Sequence, residues 1–340
     1  MKAIRKVKAY HAPGLLSKRN VVGVGVGLKT VGGSKQRELA VVAMVEKKLP
    51  TNQLAPDDII PRTLDSLPTD VIEVGRIQAP PPFTQANGVY TDRIDPTPPG
   101  YSIGHKNITA GTFGCMVRRV EAAPTYAWRE FILSNNHVLA NSNAGKPGDD
   151  ILQPGPYDGG GYKIATLTDF VPVSFIAGGV TCSLVKWLLR TLNTAAQTLG
   201  SSHRFSASKL TTHNLVDAAI AEPHDYSDVI PEIIDLGVPR GVRKAALGMT
   251  VQKSGRTTGH TRDRVDLVHA TVQVSYGLGR MAVFQEQIVA GPMSAGGDSG
   301  SLVLDNDQYA VGLLFAGSDK TTIFSPIAFV LDALNVELVT

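Results

Sequence analysis

The sequence predicts a mainly β protein, a barrel or sandwich of short strands, preceded by a small α/β module. Three observations point there. From about residue 107 onward the chain is a succession of short apolar runs broken by turn residues: GTFGCMV, FILSNN, VDAAIA, DRVDLVHATVQVSY, FQEQIVA, GSLVLD and YAVGLLFA. Its 34 glycines and 21 prolines are spread through the chain, as many tight connections require. Only two stretches carry a helical period, and many strands with few helices between them make a barrel or sandwich. At 340 residues the chain exceeds what one core usually organises, so two or three compact units are expected.

Taken in order, residues 1–19 hold Lys2, Arg5, Lys6, Lys8, Lys18 and Arg19 with no acid among them, and read as a solvated, mobile basic arm. VVGVGVG from Val21 and LAVVAMV from Leu39 read as buried strands, and Val71–Ile77 as a third. Between them LAPDDIIPRTLDSLP is broken by prolines and holds at most a short helix or turn. The VGVGVG run lacks the G-x-G-x-x-G spacing of a dinucleotide loop and no helical pattern follows it. It is a glycine-bearing strand, and no cofactor is expected. PPPF and DPTPPG mark a Pro-rich linker. The first helix runs from Thr181 to Leu199 with Leu184, Trp187, Leu188, Leu192, Ala195 and Leu199 on one face. It is expected to pack on the body of the protein, with membrane-surface or partner docking as the alternative. The second begins at Ser325 as N-cap, with Pro326 first inside and a stripe of Ile327, Val330, Leu331 and Leu334.

With 33 basic against 30 acidic residues, the net charge of +3 gives no reason to expect a nucleic-acid partner. No run approaches the length of a membrane span, and the basic start is interrupted before it can serve as a signal peptide. With two cysteines only, Cys115 and Cys182, the expected compartment is the cytoplasm.

Three local patterns carry chemistry. Gly296-Gly297-Asp298-Ser299-Gly300-Ser301 can present a serine hydroxyl on a tight turn, with the N–H groups of Gly297 and Ser299 aimed at one spot; an ordinary Gly/Ser/Asp hairpin is the plainer alternative. Phe131-Ile132-Leu133-Ser134-Asn135-Asn136-His137 delivers a histidine at the end of a strand. Asp217 opens the apolar run Val216–Ala221, where a buried carboxylate is costly unless satisfied. A contact to the Nδ1–H of His137 would satisfy it and leave Nε2 free as a base. The competing Asp225 and Asp228 sit in a polar loop and are expected to be solvated.

LSNNHVL, VDAAIA and GGDSGS, in that order, resemble the histidine, aspartate and serine motifs of trypsin/chymotrypsin-like serine proteases. Lys253-Ser254-Gly255-Arg256-Thr257-Thr258-Gly259 resembles the segment that opens a strand of the second barrel in bacterial α-lytic-type members. The segment before them is similar to the extension of intracellular-type bacterial members and their narrow-leaf-type plant relatives. The resemblance implies two six-stranded antiparallel barrels, at 107–235 (with an insertion at 181–200) and 236–340. These follow the arm at 1–19, the module at 20–78 and the linker at 79–106. It implies an endopeptidase acting on protein or peptide substrates, needing no metal, with His137, Asp217 and Ser299 as triad and Gly297 and Ser299 as oxyanion hole.

Departures from the family shape further expectations. Val138 stands where secreted members usually place a disulfide cysteine, and no Ile-Val-Gly-Gly activation site is present, so Asp298 is expected to be held by hydrogen bonds. Met293, six residues before Ser299, stands where trypsins keep an acid. An apolar floor there implies an apolar P1 preference, with Phe315, Ala316 and Gly317 as neighbouring wall and as the strand that pairs with substrate backbone. The alternative function is a catalytically silent scaffold, with the N-terminal module driving assembly into a homo-oligomer. The Ser…Asp…His order of α/β-hydrolases is absent, which excludes that fold.

Overall fold

The computed structural model describes residues 1–79, 88–120, 129–176, 191 and 213–340. The expected 181–199 helix apart from Thr191, Cys182 and the PPPF run lie outside them. The chain is mainly β and built on two sheets.

Residues 20–78 supply β1 (Val21–Val31), β2 (Ser34–Val45), β3 (Thr63–Leu64) and β4 (Leu67–Glu73). The smaller sheet uses β5 (Ser102–His105), β6 (Gly111–Thr112), β7 (Cys115–Arg119), β8 (Glu130–Ser134), β9 (Asp150–Gln153) and β10 (Tyr162–Phe170). After β11 (Phe175–Ile176), which belongs to the larger sheet, comes β12 (Ala219–Pro223). The second half of the chain holds β13 (Thr250–Lys253), β14 (Thr261–Ser275), β15 (Met281–Ala290), β16 (Leu302–Asp305), β17 (Ala310–Gly317), β18 (Thr322–Pro326) and β19 (Val336–Leu338). Strands β13, β14, β15, β18, β17 and β16 close on themselves through the β14–β15 ladder into a six-stranded barrel. The other sheet is eight-stranded, ordered β19-β7-β8-β12-β10-β9-β5-β6, with its ladder open. Only Phe113 and Gly114 separate β6 at one end from β7 near the other, so the sheet must curl round on itself. The C-terminal strand β19 thus returns to the first sheet.

The N-terminal strands do not stand apart. β1 pairs with β14 on one side and β2 on the other, and β2 pairs in parallel with β4, so the wing extends the larger sheet. The glycines of VGVGVG allow this. A Cβ on Gly23 would lie 2.7 Å from Met44 Sδ, and one on Gly27 would lie 2.5 Å from Leu267 Cδ2. On the opposite face Val24 and Val26 share one core with Val251, Val303, Leu314 and Phe324 of the barrel. Residues 1–19 are not a free arm. They form α1 (Lys2–Leu16), whose buried Ile4, Ala12 and Leu15 cover that same core. Each such fully buried Ile or Leu contributes ~1.5–3 kcal/mol. Residues 88–106 of the linker are packed as well. Tyr90 N–H donates to Arg256 O at 3.0 Å and Ser102 N–H to Tyr90 O at 2.9 Å, and β5 is a strand of the first sheet.

The C-terminal helix, α3, spans Ile327–Leu334, after the one-turn α2 (Asn136–Leu139). Its N-cap is Pro326, without a side-chain cap. Ser325, expected in that role, lies within β18, and its hydroxyl donates to Gln287 Oε1 at 2.9 Å. The pairing of β17 with β18 extends to Pro326 and outcompetes the local capping preference.

Candidate active site

The two sheets bring the three sequence motifs to their junction. Strand β8 ends at Ser134, and the α2 turn follows at once, placing His137 there. Its neighbour Asn136 locks the turn, since its amide donates to Asn143 Oδ1 at 2.7 Å and to Val171 O at 2.8 Å. β12 pairs antiparallel with β8 through Ala219↔Ser134. Carrying that register two residues further sets Asp217 opposite Asn136, beside His137.

Asp217 is fully buried and accepts three hydrogen bonds. His137 Nδ1 lies 2.7 Å from its Oδ2, His137 N–H donates to its Oδ1 at 3.2 Å, and Tyr276 OH donates to its Oδ2 at 2.6 Å. Burial acts to raise the carboxyl pKa, but the charge of His137 and these donors outweigh it and hold it below the ordinary value. Burial beside Asp217 pushes the Tyr276 phenol well up, so it remains a donor. Asn135 Nδ2 adds a bond to Asp217 O at 2.7 Å. His137 Nε2 is buried and has no hydrogen-bond partner among the described residues, Ser299 included. Of the competitors, Asp225 is exposed and caps a short turn through Ser227, and the half-buried Asp228 accepts from Tyr162 OH.

Ser299 stands on the loop between β15 and β16, against the end of β8. Its carbonyl accepts Thr112 N–H at 2.8 Å, and Ser134 Oγ donates to Thr112 O at 2.7 Å. Gly300 is so close that a Cβ there would lie 2.1 Å from Ser134 Oγ. A Cβ on Gly111 would meet Val138 Cγ2 at 2.4 Å and Ser299 O at 3.1 Å, so the chain at His137 and the chain at Ser299 flank the same glycine. Gly297 has φ +98°, and its carbonyl is pinned by Thr112 Oγ1 at 2.8 Å. The N–H groups of Gly297 and Ser299 have no acceptor among the described residues.

The loop is held from behind by the KSGRTTG run. That run does not open a strand; it follows from the last residue of β13 and leads into β14. The Asp298 carboxylate accepts Thr257 N–H at 2.8 Å, Thr258 N–H at 3.1 Å, Thr258 Oγ1 at 2.6 Å and Ala295 N–H at 3.0 Å, and Lys253 Nζ lies 3.1 Å away. Burial lowers the Lys253 pKa while Asp298 opposes it. Arg256 pairs with Asp158, in the turn between β9 and β10 of the smaller sheet, and its N–H donates to Thr112 Oγ1 at 3.1 Å, tying the run across the junction. Lys253 and Tyr276 were not foreseen as site residues, since each acts on a residue far off in sequence. The one available signal was an ionisable or hydroxyl group at the end of an apolar strand.

A cleft of about 450 Å³ opens beside Ser299, lined by Ser294, Leu314, Ala316, Gly317 and, from the N-terminal wing, Arg76 and Gln78. Of the four residues expected to bind substrate, Ala316 and Gly317 are on this wall. Met293 and Phe315 are not: both are buried, Met293 among the barrel core and Phe315 against Phe284 at a 4.6 Å ring separation. Cys115 is a buried free thiol. No helix among the described residues is long and apolar enough to cross a membrane.

No protein-family profile and no curated protein sequence matches the chain. Solved structures similar to it include proteases. Thermobifida fusca Protease A is 17% identical, with a TM-score of 0.45 over 72% of this chain and 100% of its own. Cellulomonas bogoriensis chymotrypsin is 16% identical, with a TM-score of 0.43 over 71% and 97%. The MamO protease domain from Magnetospirillum magneticum is 10% identical, with a TM-score of 0.32 over 68% and 94%.

Proposed function

We propose that the protein is a serine peptidase that cleaves peptide bonds through an acyl-enzyme. Ser299 Oγ attacks the scissile carbonyl, and His137 Nε2 takes its proton and returns it to the leaving amine. Asp217 holds the imidazole with Nδ1 protonated, and the N–H groups of Gly297 and Ser299 receive the oxyanion. The observation that carries this reading is the buried 2.7 Å contact between His137 Nδ1 and Asp217 Oδ2, which leaves Nε2 unbonded at the junction where Ser299 stands. Catalytic hydrogen bonds to the nucleophile commonly tighten only when substrate is bound, so the unmade Ser299–His137 bond is compatible with it.

The test is labelling by a fluorophosphonate. Wild type should react at Ser299, and Ser299→Ala should abolish labelling and lower kcat on the order of a million-fold. An unlabelled wild type that cleaves nothing in a broad peptide library would leave the silent-scaffold alternative standing.

A further inference from the structure

Two donors meet on one oxygen of Asp217. Tyr276 OH donates to Oδ2 at 2.6 Å, and His137 Nδ1 lies 2.7 Å from the same atom. The other oxygen, Oδ1, takes only the backbone N–H of His137 at 3.2 Å. The phenol and the imidazole therefore share one acceptor, and what either does to its charge the other feels.

The phenol comes from the opposite sheet. Asp217 precedes β12 of the smaller sheet, whereas Tyr276 follows β14 of the larger one and closes the β14–β15 hairpin, its N–H donating to Arg280 O at 2.9 Å. Tyr276 is 3% exposed. Its ring stacks on Phe284 at 6.2 Å and makes T-shaped contacts with Phe175 at 5.2 Å and His137 at 6.0 Å. A ring packed on these sides keeps its hydroxyl in one direction.

The other charged groups nearby are occupied elsewhere. Arg280, on the same hairpin, stands over the Phe175 ring at 5.1 Å and reaches Tyr276 O at 3.5 Å. β5, which packs on α2, carries His105, turned to Asp149 at 3.1 Å. β12 carries Glu222, paired with Arg129 at 3.8 Å. None of these bonds His137 or the Asp217 carboxylate.

A carboxylate beside an imidazole favours the imidazolium. A second donor on the same oxygen draws off part of that negative charge, so the imidazolium gives up its proton more readily. In a buried network little solvent screens the effect.

We propose, resting on the peptidase reading above, that Tyr276 is a positioning residue of the triad: its phenol fixes the Asp217 carboxylate against His137 and lowers the proton affinity of the imidazole, so that His137 is a free base at lower pH than Asp217 alone would allow. Tyr276 keeps its own proton throughout, since burial and the charge of Asp217 hold the phenol well above its ordinary value. The proton of Ser299 moves only to His137 Nε2.

The test is the rate of fluorophosphonate labelling of the full chain as a function of pH. That rate rises as His137 of the free enzyme loses its proton. In Tyr276→Phe the rising limb should move to higher pH, and the plateau should fall about tenfold, as for a lost bond to a charged group. Replacing Tyr276 by 3-fluorotyrosine, whose more acidic phenol is the stronger donor, should move the limb to lower pH. A role in stability alone would change how much protein labels and leave the limb in place. Should Tyr276→Phe not fold, the fluorotyrosine limb alone decides. A limb that stays put in both proteins, or moves the same way in both, overturns the proposal and leaves the peptidase reading intact. Wild type unlabelled at every pH instead overturns that reading, and the proposal with it.

Discussion

The ammonium of Lys253 lies 3.1 Å from the carboxylate of Asp298, with both side chains fully buried, immediately behind Ser299. A lysine from the end of β13 thus supplies the counter-charge for a loop whose glycines alone would leave it free to move. Removing one partner of such a pair strands the other, at about 3–5 kcal/mol. Lys253→Met should lower the melting temperature and slow fluorophosphonate labelling. The double variant with Asp298→Asn should recover part of the stability. Full labelling in Lys253→Met would contradict a role in shaping the loop.

Gly297 and Gly148 share φ +98° but differ in surroundings. A Cβ on Gly148 meets nothing within 4 Å, whereas one on Gly297 would lie 2.4 Å from Thr257 Oγ1 and 2.9 Å from Arg256 Cδ. Gly148→Ala should cost only the backbone strain, about 1–2 kcal/mol, and keep labelling. Gly297→Ala should cost more and lose labelling. Chemical denaturation and probe kinetics on the pair separate strain from collision, and equal behaviour of the two would count against a shaped oxyanion loop.

Tyr276→Phe removes one of three donors to Asp217, and a bond to a charged acceptor contributes ~1.5–3 kcal/mol. The Asp217 pKa is depressed in the folded state, so its contribution is present above the ordinary carboxylate pKa of 3.8 and is lost as pH falls through the lower folded value. The variant should therefore be less stable at neutral pH, and the difference should shrink as pH drops below that range. Circular dichroism through an acid titration reads this directly. A difference that persists unchanged in strong acid would assign the loss to packing.

Lys8 is buried on the inner face of α1 and donates to Thr271 Oγ1 at 2.8 Å; burial pulls its pKa from 10.5 to about 8, against the attraction of Glu286. Below about 8 both folded and unfolded states carry the proton, and the cost of burying the charge, about 3 kcal/mol, is felt in full. Between about 8 and 10.5 the unfolded state holds more protons, so stability rises with pH. Lys8→Met should raise the melting temperature most at pH 7, with the gain fading toward pH 10.5. A gain independent of pH would mean that packing, not charge, is responsible.

Lys8 also shows why α1 was hidden. Ile4, Lys8, Ala12 and Leu15 are its buried residues at helical spacing, but a lysine inside the stripe and basic residues around it read as a solvated arm. The tertiary core overrides that composition. The strands of 20–78 were legible from their apolar runs, while their docking was not, because β1 meets β14 across more than two hundred residues.

What the sequence determined by itself is local chemistry: a serine between glycines, a histidine at a strand end, an acid in an apolar strand, and glycines where neighbouring strands come close. Such patterns are written within a few residues because turn geometry and strand period act over that range. Only the tertiary structure decided that Asp217 faces His137, that Lys253 backs Asp298, that Met293 belongs to the core and that Gln78 bridges Gly317 of β17. Those are pairings between distant segments, set by which faces the whole chain can bury together.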